Sequence, residues 1–120
     1  MPHIILEYSS GLGPGFDAAA VLRQLHEALG ATEGFELDRI KSRAVALRTH
    51  LVGRAPGELI HATVAFSPGR SPRLREALGR RLLEILTAGT RREGEGPDIH
   101  RSVEIRQFEE GMYFAARQRP

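Results

Sequence analysis

The chain contains no cysteine and no tryptophan, and Lys41 is its single lysine. Without cysteine there is no disulfide framework, no thiolate nucleophile and no cysteine-ligated zinc site. The start, Met1 to Ser9, lacks the basic leader and long apolar stretch of a secretory signal, and no later run is long enough to span a bilayer. The expectation is a cytoplasmic protein without a membrane partner. Charge of one sign is also scarce: 17 basic residues against 15 acidic ones leave a formal net charge of +2. The acidic residues are interspersed and no platform of basic and aromatic residues forms, so nucleic acid is not an expected partner. His3, His26, His50, His61 and His100 show no paired ligand spacing, and no metal site is expected.

What is present suits one compact domain spanning residues 1–120, because a core at this length is usually continuous. Hydrophobic residues make up 41% and charged residues 27%, an ordinary globular balance. The cations are almost all arginine, whose planar fork matches two oxygens of a carboxylate or phosphate at once.

The run His3–Tyr8 is aliphatic and β-branched and stops at Ser9-Ser10-Gly11, which predicts a buried strand. Asp17 caps a helix with Ala18, Val21, Leu22, Leu25 and Leu29 on its apolar stripe, a Phe16–Val21 staple and Gly30 at its end. Between strand and helix, Gly11-Leu12-Gly13-Pro14-Gly15 has Phe16 where a dinucleotide fingerprint needs a third glycine, so it reads as a turn. Alternation from about Ile40 to Val52 predicts a second strand, and Leu59–Phe66 a third, with Ile60, Ala62, Val64 and Phe66 on one side. The turn between them, Gly53–Gly57, suggests a hairpin. Ser71 before Pro72 starts a second helix, with a stripe of Leu74, Leu78, Leu82 and Ile85 and an end at Gly89. After a polar, glycine-rich loop, Ser102–Phe108 alternates as a fourth strand, and Met112–Ala116 suggests a short terminal one.

In order, these elements make two consecutive β-α-β units. The predicted fold class is therefore α+β, a four-stranded mixed sheet with both helices on one face. The other face would be left uncovered with a second apolar set, for which packing against further copies is the obvious remedy.

Proline at position 2 has a particular chemical meaning. A small second residue permits removal of the initiator methionine, which converts the Pro2 nitrogen from an amide into a secondary amine. Burial and nearby cations both disfavour its protonated form and lower its pKa toward the useful range of a base.

The segment Pro2-His3-Ile4-Ile5-Leu6-Glu7-Tyr8-Ser9 resembles the opening of the 5-carboxymethyl-2-hydroxymuconate isomerases, a branch of the tautomerase superfamily. Phe35-Glu36-Leu37-Asp38-Arg39-Ile40-Lys41-Ser42-Arg43 agrees with that family too. So does His61-Ala62-Thr63-Val64-Ala65-Phe66 leading to Gly69-Arg70-Ser71, and the resemblance extends over nearly the whole chain. The resemblance implies a cofactor-independent isomerase of aromatic catabolism, such as homoprotocatechuate degradation, with Pro2 as general base. Its substrate would be an unsaturated 2-hydroxy or 2-oxo di- or tricarboxylic acid, and its assembly a homotrimer. Arg70 matches a site arginine of the family. In the family's Ile-Arg-Ser-Arg pattern the first arginine is replaced here by Lys41 and the second is kept as Arg43. On a continuous strand Arg39, Lys41 and Arg43 would share one face and could bind several carboxylates. Tyr8, Phe66, Tyr113 and Phe114 are candidates for walls of the pocket. The alternatives are a related reaction on an unsaturated acid, hydration or dehalogenation, and a non-catalytic oligomeric module.

Overall fold

The computed structural model describes all residues 1–120. Four strands, β1 (His3–Ser9), β2 (Lys41–Leu47), β3 (Gly57–Phe66) and β4 (Asp98–Gln107), and two helices, α1 (Ala18–Gly30) and α2 (Pro72–Gly89), follow one another as β1-α1-β2-β3-α2-β4. Short 3₁₀ turns occupy Ser10–Leu12 and Leu37–Arg39. Both helix starts follow from local chemistry. The Ala20 N–H donates to Asp17 Oδ1 at 3.1 Å, and the Leu74 N–H donates to Ser71 Oγ at 3.1 Å, each satisfying an otherwise orphaned first-turn donor.

The sheet order is β2-β1-β3-β4. Within each β-α-β unit the strands run parallel, β1 with β2 and β3 with β4, and the two units meet through the antiparallel pair β1 and β3. The predicted hairpin of the second and third strands does not form, because β1 lies between them. The crossover through α1 places β2 beside β1, and the apolar run Ile4–Leu6 makes β1 the better central strand. β2 is left as an exposed edge, and its strand ends at Leu47 rather than continuing to Val52. In the connection that follows, the His50 ring donates from Nε2 to the Gly57 carbonyl at 2.9 Å.

Ile4 and Leu6 of β1, and Ile60, Ala62, Val64 and Phe66 of β3, point to the same side of the sheet as Val21, Leu25 and Leu29 of α1 and Leu78, Leu82, Ile85 and Leu86 of α2. These side chains form one core, and each large one contributes about 1.5–3 kcal/mol of burial free energy. The helices approach closely where Gly89 faces Val21: a Cβ at Gly89 would lie 2.6 Å from Val21 Cγ2. Both helices therefore cover one face, as expected.

The uncovered face differs from expectation. Its positions include Ile5, Glu7, Lys41, Arg43, Val45, His61, Thr63, Ser102, Glu104 and Arg106, a mixed polar surface rather than a second apolar set. His61 Nδ1 and Ser102 Oγ are 2.7 Å apart there, and Arg106 pairs with Glu104 at 3.0 Å. Apolar exposure concentrates at the margins, with Val45 at 45%, Leu51 at 91% and Phe114 at 82%. No helix is long and apolar enough to cross a membrane.

Candidate active site

The topology brings four chain segments to one end of the sheet. The start of β1 pairs with the start of β2, His3 opposite Lys41, and with the end of β3, His3 opposite Ala65. Because β4 runs parallel to β3, its last residues and the segment beyond them reach the same end. The end of α1 and the start of α2 lie there as well, since each helix runs back along the sheet between parallel strands.

Pro2 stands immediately before β1 and is buried. A proline is well suited to this place, since a first strand residue can do without a ladder donor, while its carbonyl accepts from the Lys41 N–H at 3.0 Å. With Met1 attached, the Pro2 nitrogen is an amide. The free amine is then that of Met1, one residue away, and its surroundings report on what a liberated Pro2 would meet. Its pKa is lowered from the ordinary value first by burial, then by the charges of Lys41, Arg39 and Arg70. Three of the four arginine and lysine candidates from the sequence thus act on the chain start. The fourth, Arg43, acts on the neighbouring side chain: its Nη1 lies 3.2 Å from His3 Nδ1.

Arg70 directly precedes the Ser71 cap of α2. Its Nη2 donates to the Gly34 carbonyl at 2.8 Å and its Nη1 to the Ser67 carbonyl at 3.2 Å. The guanidinium carbon lies over Phe35, 4.3 Å from the ring centre, with the Phe66 ring at 5.4 Å. Carbonyls and aromatic faces thereby fix its plane, and three of its five N–H groups remain for a ligand. The adjoining start of α2 adds positive potential.

Arg39 is not part of the strand. It closes the 3₁₀ turn Leu37–Arg39 and pairs with Glu36 at 2.8 Å, with both side chains largely exposed. The predicted one-faced array of Arg39, Lys41 and Arg43 is therefore only a pair, Lys41 and Arg43, on the uncovered side of β2. The local cause is the buried Ile40, whose extended backbone ends the turn, so that the strand begins at Lys41, two residues after Arg39.

No local pattern in the sequence singles out His3, and Tyr113 stands out there only as a candidate wall of the pocket. The structure links them: His3 Nε2 lies 2.8 Å from Tyr113 Oη. Tyr113 stacks on Phe108 with ring centres 4.7 Å apart and planes inclined at 23°. The segment therefore turns back over the chain start instead of forming the expected strand Met112–Ala116. Gly111 has φ of 78°, and the Met112 N–H donates to the Glu109 carbonyl at 3.0 Å. The burial that lowers His3's pKa is reinforced by Arg43, then Lys41, then the chain start. Tyr8 packs on Phe16 and Phe66 lies in the core, so neither belongs to this group, and Phe114 is exposed.

The hollow beside Tyr113 is bounded by Ser67, Pro68, Phe108, Glu109, Glu110 and Gly111. The glycine-rich turn Gly11–Gly15 borders a different one, at the far end of β1, together with Arg91 and Arg92. It is not near the candidate base.

Residues 2–117 match the family model described as 5-carboxymethyl-2-hydroxymuconate isomerase. Comparison with curated protein sequences gives no match. Among solved structures, the chain is similar to a 5-carboxymethyl-2-hydroxymuconate isomerase from Deinococcus radiodurans R1, with a TM-score of 0.85 and 24% identity, covering 98% of this chain and 90% of that one. A 5-carboxymethyl-2-hydroxymuconate delta-isomerase superposes with a TM-score of 0.75 at 16% identity, covering 98% of this chain and 89% of that chain. A fused 4-OT described as a symmetric trimer gives 0.67 at 19%, covering 95% and 91%. At these identities the structures establish the shared fold, and the family rests on the match over nearly the whole chain. The chain is thus a member of the 5-carboxymethyl-2-hydroxymuconate isomerase family of the tautomerase superfamily, an enzyme of the tautomerase type.

Proposed function

We propose that this isomerase shifts a proton along an unsaturated 2-hydroxy or 2-oxo acid carrying two or three carboxylates, with the amine of Pro2 as its base once Met1 has been removed. The observation that carries the reading is the burial of Pro2 beside a chain start whose amine is deprotonated more easily because of burial, Lys41, Arg39 and Arg70. The same cations that keep the base neutral attract the substrate's carboxylates, and Arg70 is already held in place by two carbonyls and the Phe35 ring.

In the forward step the Pro2 nitrogen takes the proton of the 2-hydroxyl group. The oxygen–hydrogen electron pair becomes part of the new 2-oxo group, and the diene electrons move toward the far end of the conjugated chain. The protonated amine returns the proton to a carbon there. Substrate and product have the same atoms, so the reaction itself requires no redox partner. The family precedent supports a homotrimer, in which groups from an adjoining copy can complete the site.

The test follows the absorbance of a 2-hydroxymuconate-type dienol with purified protein. Conversion is expected without added cofactor. Only the neutral amine is a base, so kcat/KM should rise with pH through an apparent pKa below the ordinary α-amino range of about 8. Absence of turnover on every 2-hydroxydienoate tried, or a pH profile flat through that region, would refute the reading.

Lys41 bears on which acid is used. An ammonium neutralises a carboxylate but cannot grip both its oxygens in one plane. Lys41→Arg is expected to lower KM for a tricarboxylate by about 1 kcal/mol, roughly fivefold, with little change for a dicarboxylate. Steady-state kinetics on the two substrates checks this difference.

A further inference from the structure

Arg43, His3 and Tyr113 form a hydrogen-bonded chain whose direction is fixed by chemistry. A guanidinium has donors only, so at the 3.2 Å contact His3 Nδ1 must be the acceptor. The single proton of the neutral ring then sits on Nε2, which donates to Tyr113 Oη at 2.8 Å. The Tyr113 oxygen is already an acceptor toward His3, so its own proton points elsewhere. Burial, Arg43, Lys41 and the chain start all favour the neutral imidazole that this arrangement requires.

Tyr113 is held firmly enough to aim that proton. Its ring stacks on Phe108, and the Phe108 N–H donates to the Phe66 carbonyl at 2.8 Å, tying the segment to the end of β3. The hollow that Tyr113 lines also contains Glu109 and Glu110, whose carboxylates repel a substrate carboxylate. The cations that act on the chain start are Lys41, Arg39 and Arg70. Within one bound anion, the carboxylates therefore belong with those cations, and an uncharged oxygen belongs beside Tyr113.

We propose that Tyr113 donates a hydrogen bond to the 2-hydroxy/2-oxo oxygen of the substrate, with His3 and Arg43 as positioning residues that set the direction of its O–H. The assignment rests on the proton-transfer reading above. Tyr113 keeps its proton throughout. Its hydrogen bond strengthens as Pro2 removes the hydroxyl proton and negative charge gathers on that oxygen, which is where a preorganised donor is most effective.

Tyr113→Phe preserves the ring and its stack while removing the donor. Turnover is expected to fall about 10²–10³-fold in kcat, with KM changed far less and the melting temperature and oligomer retained. Nitrogen NMR of the wild-type protein should show His3 Nε2 protonated and Nδ1 bare at neutral pH. Wild-type kcat in Tyr113→Phe, an effect confined to KM, or a His3 proton on Nδ1 would each overturn the assignment. Full activity of Pro2→Ala would instead sink the underlying reading, whereas an inactive Pro2→Ala beside a fully active Tyr113→Phe would sink the Tyr113 role alone.

Discussion

Pro2→Ala is expected to lose about 10²–10⁴-fold in kcat, the usual contribution of a positioned general base, with its fold and oligomer unchanged. The side chain removed is small and sits at the margin of the core, where β1 is secured from His3 onward by ladders to both neighbours. The stability cost should therefore be minor. The chemical cost is large because the variant presents a primary amine without the ring that fixes the nitrogen's direction. Kinetics on a 2-hydroxydienoate, together with the size of the assembly in solution, checks both halves. Unchanged turnover would remove Pro2 from the mechanism, and loss of the assembly along with activity would give the residue a structural role instead.

The second large effect is expected at Arg70. Arg70→Ala should reduce kcat/KM by about 10²–10³-fold, because a charged, bidentate contact to a carboxylate contributes several kcal/mol where water is excluded. Arg70 also joins the Gly34 and Ser67 segments and covers Phe35, so some stability will be lost with it. The two roles separate by measurement. A carboxylate role predicts that a dicarboxylate inhibitor loses affinity in the folded variant at low temperature. A purely structural role predicts a lower melting temperature with inhibitor affinity retained.

The parts of the fold legible in the sequence were those set by local chemistry. Asp17 and Ser71 cap α1 and α2 as expected, and the apolar stripes of both helices face the core. What sequence patterning missed was set by tertiary competition. The strand expected from Ile40 to Val52 is shorter because β2 is an edge, with exposed residues that alternate without a core to face. Gly53–Gly57 looks like a hairpin turn, yet the segment only carries the chain past the end of β1. β4 begins earlier than Ser102, at Asp98, because an inward position is occupied by Arg101, which hides the apolar alternation. Arg101 Nε donates to the buried Thr90 Oγ1 at 2.6 Å, which accommodates the charge there.

The candidate site divides in the same way. Pro2, Arg70, Lys41 and Arg43 were visible as residue types in separated blocks, and the sheet topology places all of them at one end. Arg39 falls outside the strand that carries Lys41 and Arg43, because a 3₁₀ turn cannot be told from a strand start by alternation over three residues. His3 and Tyr113 lie 110 positions apart, and nothing local announces their hydrogen bond.

The proposed base is a free, neutral Pro2 amine in the mature protein. It is tested most directly by treating the enzyme with an electrophilic 2-oxo-3-alkynoate at neutral pH and mapping the adduct by mass spectrometry. The expected result is a chain lacking Met1, one label per subunit on the Pro2 nitrogen, and loss of turnover in step with labelling. A fully active protein that retains Met1, or inactivation with the label on another residue and Pro2 unmodified, would contradict it.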